Sequence, residues 1–336
     1  MAGIARSTGP DVEPDTTSIT FRPADPTDLG ACATIWRAAI NDYIGRLGQP
    51  DIPPEVHPVT RLFAHLQATD PERFIVATMP TESEPGTGGA PDRIVAFGSA
   101  VVRGTVWYLS MLFVLPEFQG AGLGRDLLDR LLPGDAATVR ATATDSAQPI
   151  SNALYATLGI VPRMPLLSLV GLPRRPEAFG SLPSGVVPLR FDEIAAGTPD
   201  GVGHRMLIDA IDGLDRDLLG VAHPADHRFL RSESRHGFLY RGPDGTPLGY
   251  GYAGEAGRVG PIAVRDADLL GPVLGHLTSA IQPRGAFAIW VGGAADRAVV
   301  PALQAGFRLD QFPVLLCWDS PFADFSRYLP ISPGLL

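Results

Sequence analysis

Six residues between an apolar run and a leucine-spaced segment carry the clearest chemistry in this chain: Gln119-Gly120-Ala121-Gly122-Leu123-Gly124. The run before them, Val106 to Leu115, is rich in aromatic and branched residues and predicts a buried strand that Pro116 ends. After them Leu123, Leu127, Leu128 and Leu131 recur at helical spacing, with Arg125, Asp126, Asp129 and Arg130 on the other face, until Pro133-Gly134. The order is strand, glycine loop, helix. The first turn of a helix has main-chain N–H groups without helical acceptors, and it sits at the positive end of the macrodipole, so it binds anions. Glycines lacking Cβ let a pyrophosphate come close to the backbone. The expectation is a phosphate cradle built from main-chain donors.

Spacing decides which kind. A dinucleotide fingerprint needs G-x-G-x-x-G, but counted from Gly120 or Gly122 its sixth position falls on Arg125 or Leu127. A mononucleotide P-loop needs a Lys after its last glycine, and the chain has no Lys. What remains, Gln119-x-x-Gly122-x-Gly124 behind a strand ending Val114-Leu115-Pro116, resembles the acetyl-CoA pyrophosphate loop of the GNAT N-acetyltransferase superfamily. A second stretch, Gln148-Pro149-Ile150-Ser151-Asn152-Ala153-Leu154-Tyr155-Ala156-Thr157-Leu158-Gly159-Ile160, resembles that superfamily's Asn-x-x-Ala-x-x-Leu-Tyr-x-x-x-Gly-Phe signature. Counted back from Tyr155, the family Asn falls on Gln148 and the Ala on Ser151, while Ile160 replaces the Phe; Asn152 lies one helical turn nearer the tyrosine.

The resemblance implies an α/β (α+β) fold of two GNAT-like domains, each a mixed, mostly antiparallel central sheet flanked by helices, with a splayed strand pair. It implies acetyl-CoA as cosubstrate, held by Gln119, Gly120, Ala121, Gly122, Leu123, Gly124 and Arg125. Leu112, Phe113 and Val114 would lie alongside on a strand whose free backbone N–H polarises the thioester carbonyl. Tyr155 is implied as the acid that protonates the departing thiolate. Gln148 or Asn152 would contact the pantetheine arm, and the choice between them stays open. The first helix-loop-helix would line the acceptor side, so Trp36, Asp42 and Tyr43 are substrate-facing candidates. Tyr108 and Ser110, on the central strand, are further candidates that could relay a proton through water. Glu117 beside the loop is a weaker general base, because an acid there is common in the family without a catalytic role.

These residues need elements to hold them. Ile19 to Pro23 predicts a first strand, followed by a helix with Leu29, Ile35, Trp36 and Ile40 on its buried side, a Pro-rich stretch from Asn41 to Pro58, and a helix from Val59 to Ala68. Arg73 to Met79 and Arg93 to Val102 predict a strand pair around a mobile loop, Pro80 to Asp92. Ala137 to Ala143 is a further strand, Ser146 to Leu158 a helix that Gly159 ends, and Pro165 to Gly171 a final strand. Residues 173–185 are rich in Pro, Arg and Gly and read as a linker. Then the pattern restarts: strand from Val186, helix from Gly203, a hairpin around Pro243-Asp244-Gly245, strand Val259 to Val264, helix Leu269 to Ile281, strand Ala286 to Val291, helix Arg297 to Ala305, and strand Pro313 to Trp318. The interval from Val264 to Gly306 is 42 residues, against 45 from Val114 to Gly159. The expected division is a lead-in over 1–18, a catalytic domain over 19–172, the linker, and a degenerate copy over 186–336. That copy has Arg265-Asp266-Ala267-Asp268 where the glycines should be, two carboxylates that cap a helix but repel a pyrophosphate, and no counterpart of Tyr155. It is expected to shape the acceptor pocket or a dimer interface, or to give structural support alone.

Composition narrows the rest. With 336 residues and 45% apolar content the chain can bury one large or two medium cores. Cys32 and Cys317, far apart in apolar stretches, argue against a disulfide framework or a cysteine-rich metal site. The net charge of −9 divides evenly, 14 Arg against 18 acids through Arg175 and 13 against 18 after it, and no basic stripe marks a nucleic-acid binder. Without Lys, Schiff-base and lysine-nucleophile mechanisms are excluded. No apolar stretch is long enough to span a membrane and the N-terminus lacks an apolar signal core, so a cytoplasmic location is expected. The seven histidines, including His57, His65, His204 and His223, are taken as surface or core residues, with no metal expected. An N-acetyltransferase acting on a small-molecule or peptide amine leads the functional readings; a homodimer stays open. The alternatives are a non-catalytic acyl-CoA-binding regulator, and a transferase using another acyl group or an oxygen acceptor.

Overall fold

A computed structural model describes residues 18–81, 92–196, 201–310 and 312–336. The expected lead-in, up to residue 17, and the tip of the Pro80 to Asp92 loop lie outside the described residues. The chain forms two compact units, Met1–Ala100 with Met111–Leu132, and Val101–Ser110 with Pro133–Leu336. In chain order the strands are β1 (Thr20–Pro23), β2 (Phe74–Met79), β3 (Arg93–Arg103), β4 (Val106–Val114), β5 (Val139–Asp145), β6 (Val161–Gly171), β7 (Val187–Arg190), β8 (Arg235–Arg241), β9 (Pro247–Gly254), β10 (Arg258–Val264), β11 (Phe287–Gly292), β12 (Arg308–Leu309), β13 (Val314–Trp318) and β14 (Tyr328–Leu329). The helices are α1 (Leu29–Arg46), α2 (His57–Thr69), α3 (Leu123–Leu131), α4 (Pro149–Ala156), α5 (Phe191–Ala196), α6 (Val202–Leu219), α7 (Pro224–Ser232), α8 (Leu270–Ala280) and α9 (Asp296–Ala305).

In the first unit β1 pairs antiparallel with β2, from Thr20↔Thr78 to Pro23↔Ile75, and β2 with β3, from Phe74↔Ser99 to Met79↔Arg93. Helix α2 drops Phe63 onto these strands, with ring centroids 5.9 Å from Phe74 and 5.2 Å from Phe97, and all three rings are fully buried. Burying each phenyl is worth roughly 2–3 kcal/mol, and a well-aligned ring pair about 1 kcal/mol more. Helix α3 buries Leu123, Leu127, Leu128 and Leu131, the stripe expected from the spacing. At Gly98 of β3 an added Cβ would stand 2.6 Å from Leu131 Cδ1, so α3 packs its last turn directly on the strand. Helix α1 runs on to Arg46 instead of yielding to a loop near Asn41, because no proline occurs between Leu29 and Gln49 and Asp42 pairs with Arg46 one turn later, 2.8 Å away.

The second unit contains the main departure from expectation. Its strands follow the order β4, β5, β13, β6, β11, β10, β9, β8, β7. The strand expected to close the first half, β6, pairs instead with β11 of the second, from Phe287↔Gly171 to Gly292↔Leu166. In return β13, the last long strand of the second half, pairs with β5 from Val314↔Asp145 to Trp318↔Ala141, and with β6 on its other edge. The two halves thus exchange their final strands about the β13–β6 pair. Asp319 staples the exchange: it accepts from Arg140 N at 2.9 Å and from Arg140 Nε at 2.7 Å, while its own N–H donates to Arg140 O. Nothing in local periodicity distinguishes a strand that closes its own half from one that closes its neighbour.

The expected linker is ordered. Arg174 and Arg175 both donate their N–H to Ala305 O, and Phe179 buries its ring against Gly275, where a Cβ would stand 2.8 Å from Phe179 Cβ, and edge-on to Phe307 at 6.1 Å. One aromatic residue inside a Pro/Gly-rich segment was the available sign of packing. Helices α5 and α7 and strand β14 were not expected. They are short, with periodic signals too brief to stand out.

Candidate active site

The cradle belongs to the first unit. Gly120 and Gly122 have φ of 88° and 87°, and Gly122 caps α3 in the left-handed region. Both have open space where a Cβ would be, nothing lying within 4 Å of either, so the backbone there is open to close approach. The first N–H tied back is that of Arg125, to Gly122 O at 3.0 Å, so the first-turn donors at Leu123 and Gly124 precede any helical acceptor. Gln119 is spent on the loop itself: its Nε2 donates to Val114 O at 3.0 Å, tying the strand end to the glycines. Leu115 N–H donates to Val95 O, and Phe113 stacks on Phe97 at 5.7 Å, which pins the strand end of Leu112, Phe113 and Val114. Arg125 is exposed on the outer face of α3. Glu117, weighed above as a base, is ion-paired with Arg93 at 2.6 Å on the surface.

Helix α1 carries Trp36, Asp42 and Tyr43, all half-buried; Trp36 and Tyr43 are seven positions apart on one face, whereas Asp42 turns to Arg46.

Tyr155, Gln148, Asn152, Tyr108 and Ser110 belong to the second unit. Pro149 starts α4 at a position where its missing N–H costs nothing, with Gln148 as cap. Tyr155 lies on the buried face of α4, 5% exposed, and burial pushes its phenol above its usual range, with a Ser151 hydrogen bond opposing in part. The hydroxyl is therefore fully protonated at neutral pH. Asn152 ties α4 to the preceding strand, Nδ2 donating to Asp145 O at 3.0 Å and to Gln148 O at 2.7 Å, while its Oδ1 is buried without a hydrogen-bond partner. Tyr108 donates its hydroxyl to Pro333 O at 2.5 Å, and Ser110 Oγ is buried without a hydrogen-bond partner.

The β4–β5 register is parallel and short, Val106↔Val139 to Leu109↔Thr142, although β5 continues to Asp145 and β4 to Val114. The second half repeats this with β10 and β11, paired only at Arg258↔Ala288 and Val259↔Ile289. There the edge that β11 leaves is taken by β14, through Ile262↔Leu329 and Ala263↔Tyr328. Val264 N–H, the counterpart of the Val114 N–H, donates to Arg327 O at 3.1 Å, and Arg327 Nη1 donates to Arg265 O at 2.8 Å. Asp266 caps the following turn, accepting from Asp268 N at 3.0 Å, and Arg297 pairs with Asp268 at 3.1 Å. So the second copy has lost more than its glycines: a return of its own chain fills the wedge and uses up the donor. The sequence hid this, since Tyr328-Leu329 is too short to read as a strand.

Two of the histidines lie in the core together: His223 and His227 are four residues apart, a spacing that puts two imidazoles on one side of a helical turn, and both are buried with Asp215.

Residues 43–160 match the family model described as "Acetyltransferase (GNAT) family". No curated protein sequence matches the chain. Among solved structures it is similar to a candidate acetyltransferase from Pyrococcus horikoshii, with a TM-score of 0.69, 14% identity, and coverage of 95% of this chain and 96% of that one. It is also similar to a GCN5-related N-acetyltransferase from Sphaerobacter thermophilus, with a TM-score of 0.56, 16% identity, and coverage of 93% and 99%. A third similar structure is a tandem GNAT protein from the clavulanic acid biosynthesis pathway, with a TM-score of 0.50, 15% identity, and coverage of 90% and 99%. At these identities the structures speak for the fold and the matched segment for the family. The match to the acetyltransferase (GNAT) family is carried by residues 43–160, where the glycine loop and Tyr155 both lie, and the fold likeness extends over nearly the whole chain, to a tandem GNAT protein among others.

Proposed function

We propose that this acyltransferase moves an acetyl group from acetyl-CoA to a primary amine of a small molecule or peptide, by direct attack in a ternary complex. The observation that carries the reading is the left-handed glycine pair opening α3 inside the family segment, with open space where their Cβ atoms would stand and first-turn N–H groups that precede any helical acceptor. In this reading Gly120 to Gly124 hold the pyrophosphate and the N–H at Val114 polarises the thioester carbonyl. Asn152 Oδ1 accepts from a pantetheine amide. Tyr155 gives its proton to the departing thiolate, a role suited to a phenol that burial keeps protonated. Trp36 and Tyr43 line the acceptor side. The functional division is a catalytic domain over 19–172 and a supporting copy over 186–336, whose wedge is closed by β14.

The test is calorimetric titration of the protein with acetyl-CoA, followed by thiol release over a panel of amines. Binding with amine-dependent release supports the transferase. Binding without release for any amine or alcohol would favour the regulator, and no binding at all would remove the cradle.

A further inference from the structure

The second unit buries a cluster of groups that acetyl transfer does not use. Asp215 lies near the end of α6, His223 caps α7, and His227 is one turn into α7; the three are at most 3% exposed. Gly220, with φ of 74°, makes the tight turn between the helices that folds His223 back toward Asp215. Both imidazoles aim Nε2 at the same carboxylate oxygen: His227 Nε2 is 2.9 Å and His223 Nε2 3.3 Å from Asp215 Oδ2. The three donor atoms lie within 4.8 Å of one another. His223 Nε2 is enclosed and makes no hydrogen bond of acceptable geometry.

Each of the three is held by a partner on its far side. Tyr250 donates to Asp215 Oδ1 at 2.5 Å, and His227 Nδ1 is 2.9 Å from Tyr252 Oη. His223 Nδ1 is 3.4 Å from Asp226 Oδ2, and Asp226 is gripped by both arms of Arg103, at 2.9 Å each. That is an outer shell of carboxylate and phenol partners of the kind that fixes imidazole orientation around a metal and leaves the inner nitrogens free to ligate. A tetrahedral ion with bonds of about 2.0–2.1 Å separates its ligand atoms by about 3.3 Å, close to the spacing of Asp215 Oδ2 to the two nitrogens. A cleft partly open to solvent has His223, Asp226 and Arg103 in its wall among Val106, Tyr108 and Leu219, so the His223 side of the cluster is the side from which an ion could enter.

We propose that Asp215, His223 and His227 bind one divalent first-row transition ion, zinc being the best fit to this two-nitrogen, one-oxygen set, with a water in the fourth position. The ion would tie α6 to α7 and to β9 through Tyr250 and Tyr252. It is a site of the supporting half, independent of acetyl-CoA.

The test uses the whole chain. Protein purified without chelator is analysed for metals; it is then stripped with a chelator and titrated with Co²⁺ and Zn²⁺ while visible absorption and thermal midpoint are followed. Expected are about one ion per chain, the visible bands of tetrahedral Co²⁺, and a fall in the midpoint on stripping that Zn²⁺ reverses. His227→Gln and Asp215→Asn should lower the metal content at least tenfold, whereas His204→Gln, on the exposed side of α6, should not. Metal below a tenth of an equivalent with no spectral or thermal response to either ion would overturn the proposal and leave a shared proton as the charge that balances Asp215. Full metal content retained in well-folded His227→Gln and Asp215→Asn would overturn it as well. Where a variant does not fold, the wild-type titrations decide.

Discussion

Replacing Gly122 by Glu tests the cradle most directly. The residue has φ of 87° and nothing within 4 Å of an added Cβ, so the cost to folding is backbone strain alone, about 1–2 kcal/mol for a non-glycine residue in the left-handed region. The thermal midpoint should drop by a few degrees, about 2–4 °C per kcal/mol for a large domain. Binding should suffer in a different way. A carboxylate about 5 Å from a phosphate charge repels it by about 0.8 kcal/mol in water and about 3 kcal/mol at an effective dielectric of 20. Two phosphates and the lost close approach of the backbone add to this, so acetyl-CoA affinity should fall at least tenfold. Gly134→Glu is the matched control, since Gly134 is also left-handed, with φ of 55°, and equally open, but lies beyond the far end of α3. Calorimetry on the three proteins reads both quantities. Equal affinity in Gly122→Glu and wild type, with folding intact, would refute the claim that the main-chain donors of this loop hold the diphosphate.

Other perturbations separate the remaining claims. Tyr155→Phe should lower kcat by on the order of 10²-fold with acetyl-CoA affinity unchanged, and steady-state kinetics beside calorimetry would expose a purely structural tyrosine, for which kcat would hold. Burial pushes the thiols of Cys32 and Cys317 up to about 12, so the thiolate fraction at pH 8 is roughly 10⁻⁴; a colorimetric thiol reagent should leave both untouched in the native protein and titrate two after denaturation. Because the raised value makes reactivity climb with pH, fast native labelling at pH 8 would contradict that burial. Gly257→Ala should destabilise by about 3 kcal/mol or more, since Gly257 has φ of 85° and a Cβ there would collide with the Ala286 carbonyl; urea unfolding checks it.

The elements that carry the candidate site were legible because their signals are local. Three glycines at fixed offsets, a leucine stripe and a Leu-Tyr pair each fit within a few turns of chain, and each element lies within a few residues of its expected place. What escaped was non-local. The exchange of β6 and β13 depends on which edge each strand meets, and period-2 patterning is silent on that. Strand β14 is two residues long and gains its place only from Ile262 and Ala263 across from it. The Asp215 cluster draws on two helices with partners from β3 and β9, and only His223-x-x-x-His227 hinted at it. The end of helix α1 was masked by the prolines beyond it, although Asn41 to Arg46 contains none.

The traded end strands bear on how the protein is made. The partner of β5 is Val314–Trp318, from the second half of the chain, so the nascent amino-terminal half carries an unsatisfied strand edge until that stretch has been made. Separate expression of residues 19–172 should accordingly give insoluble material that co-production of 186–336 rescues.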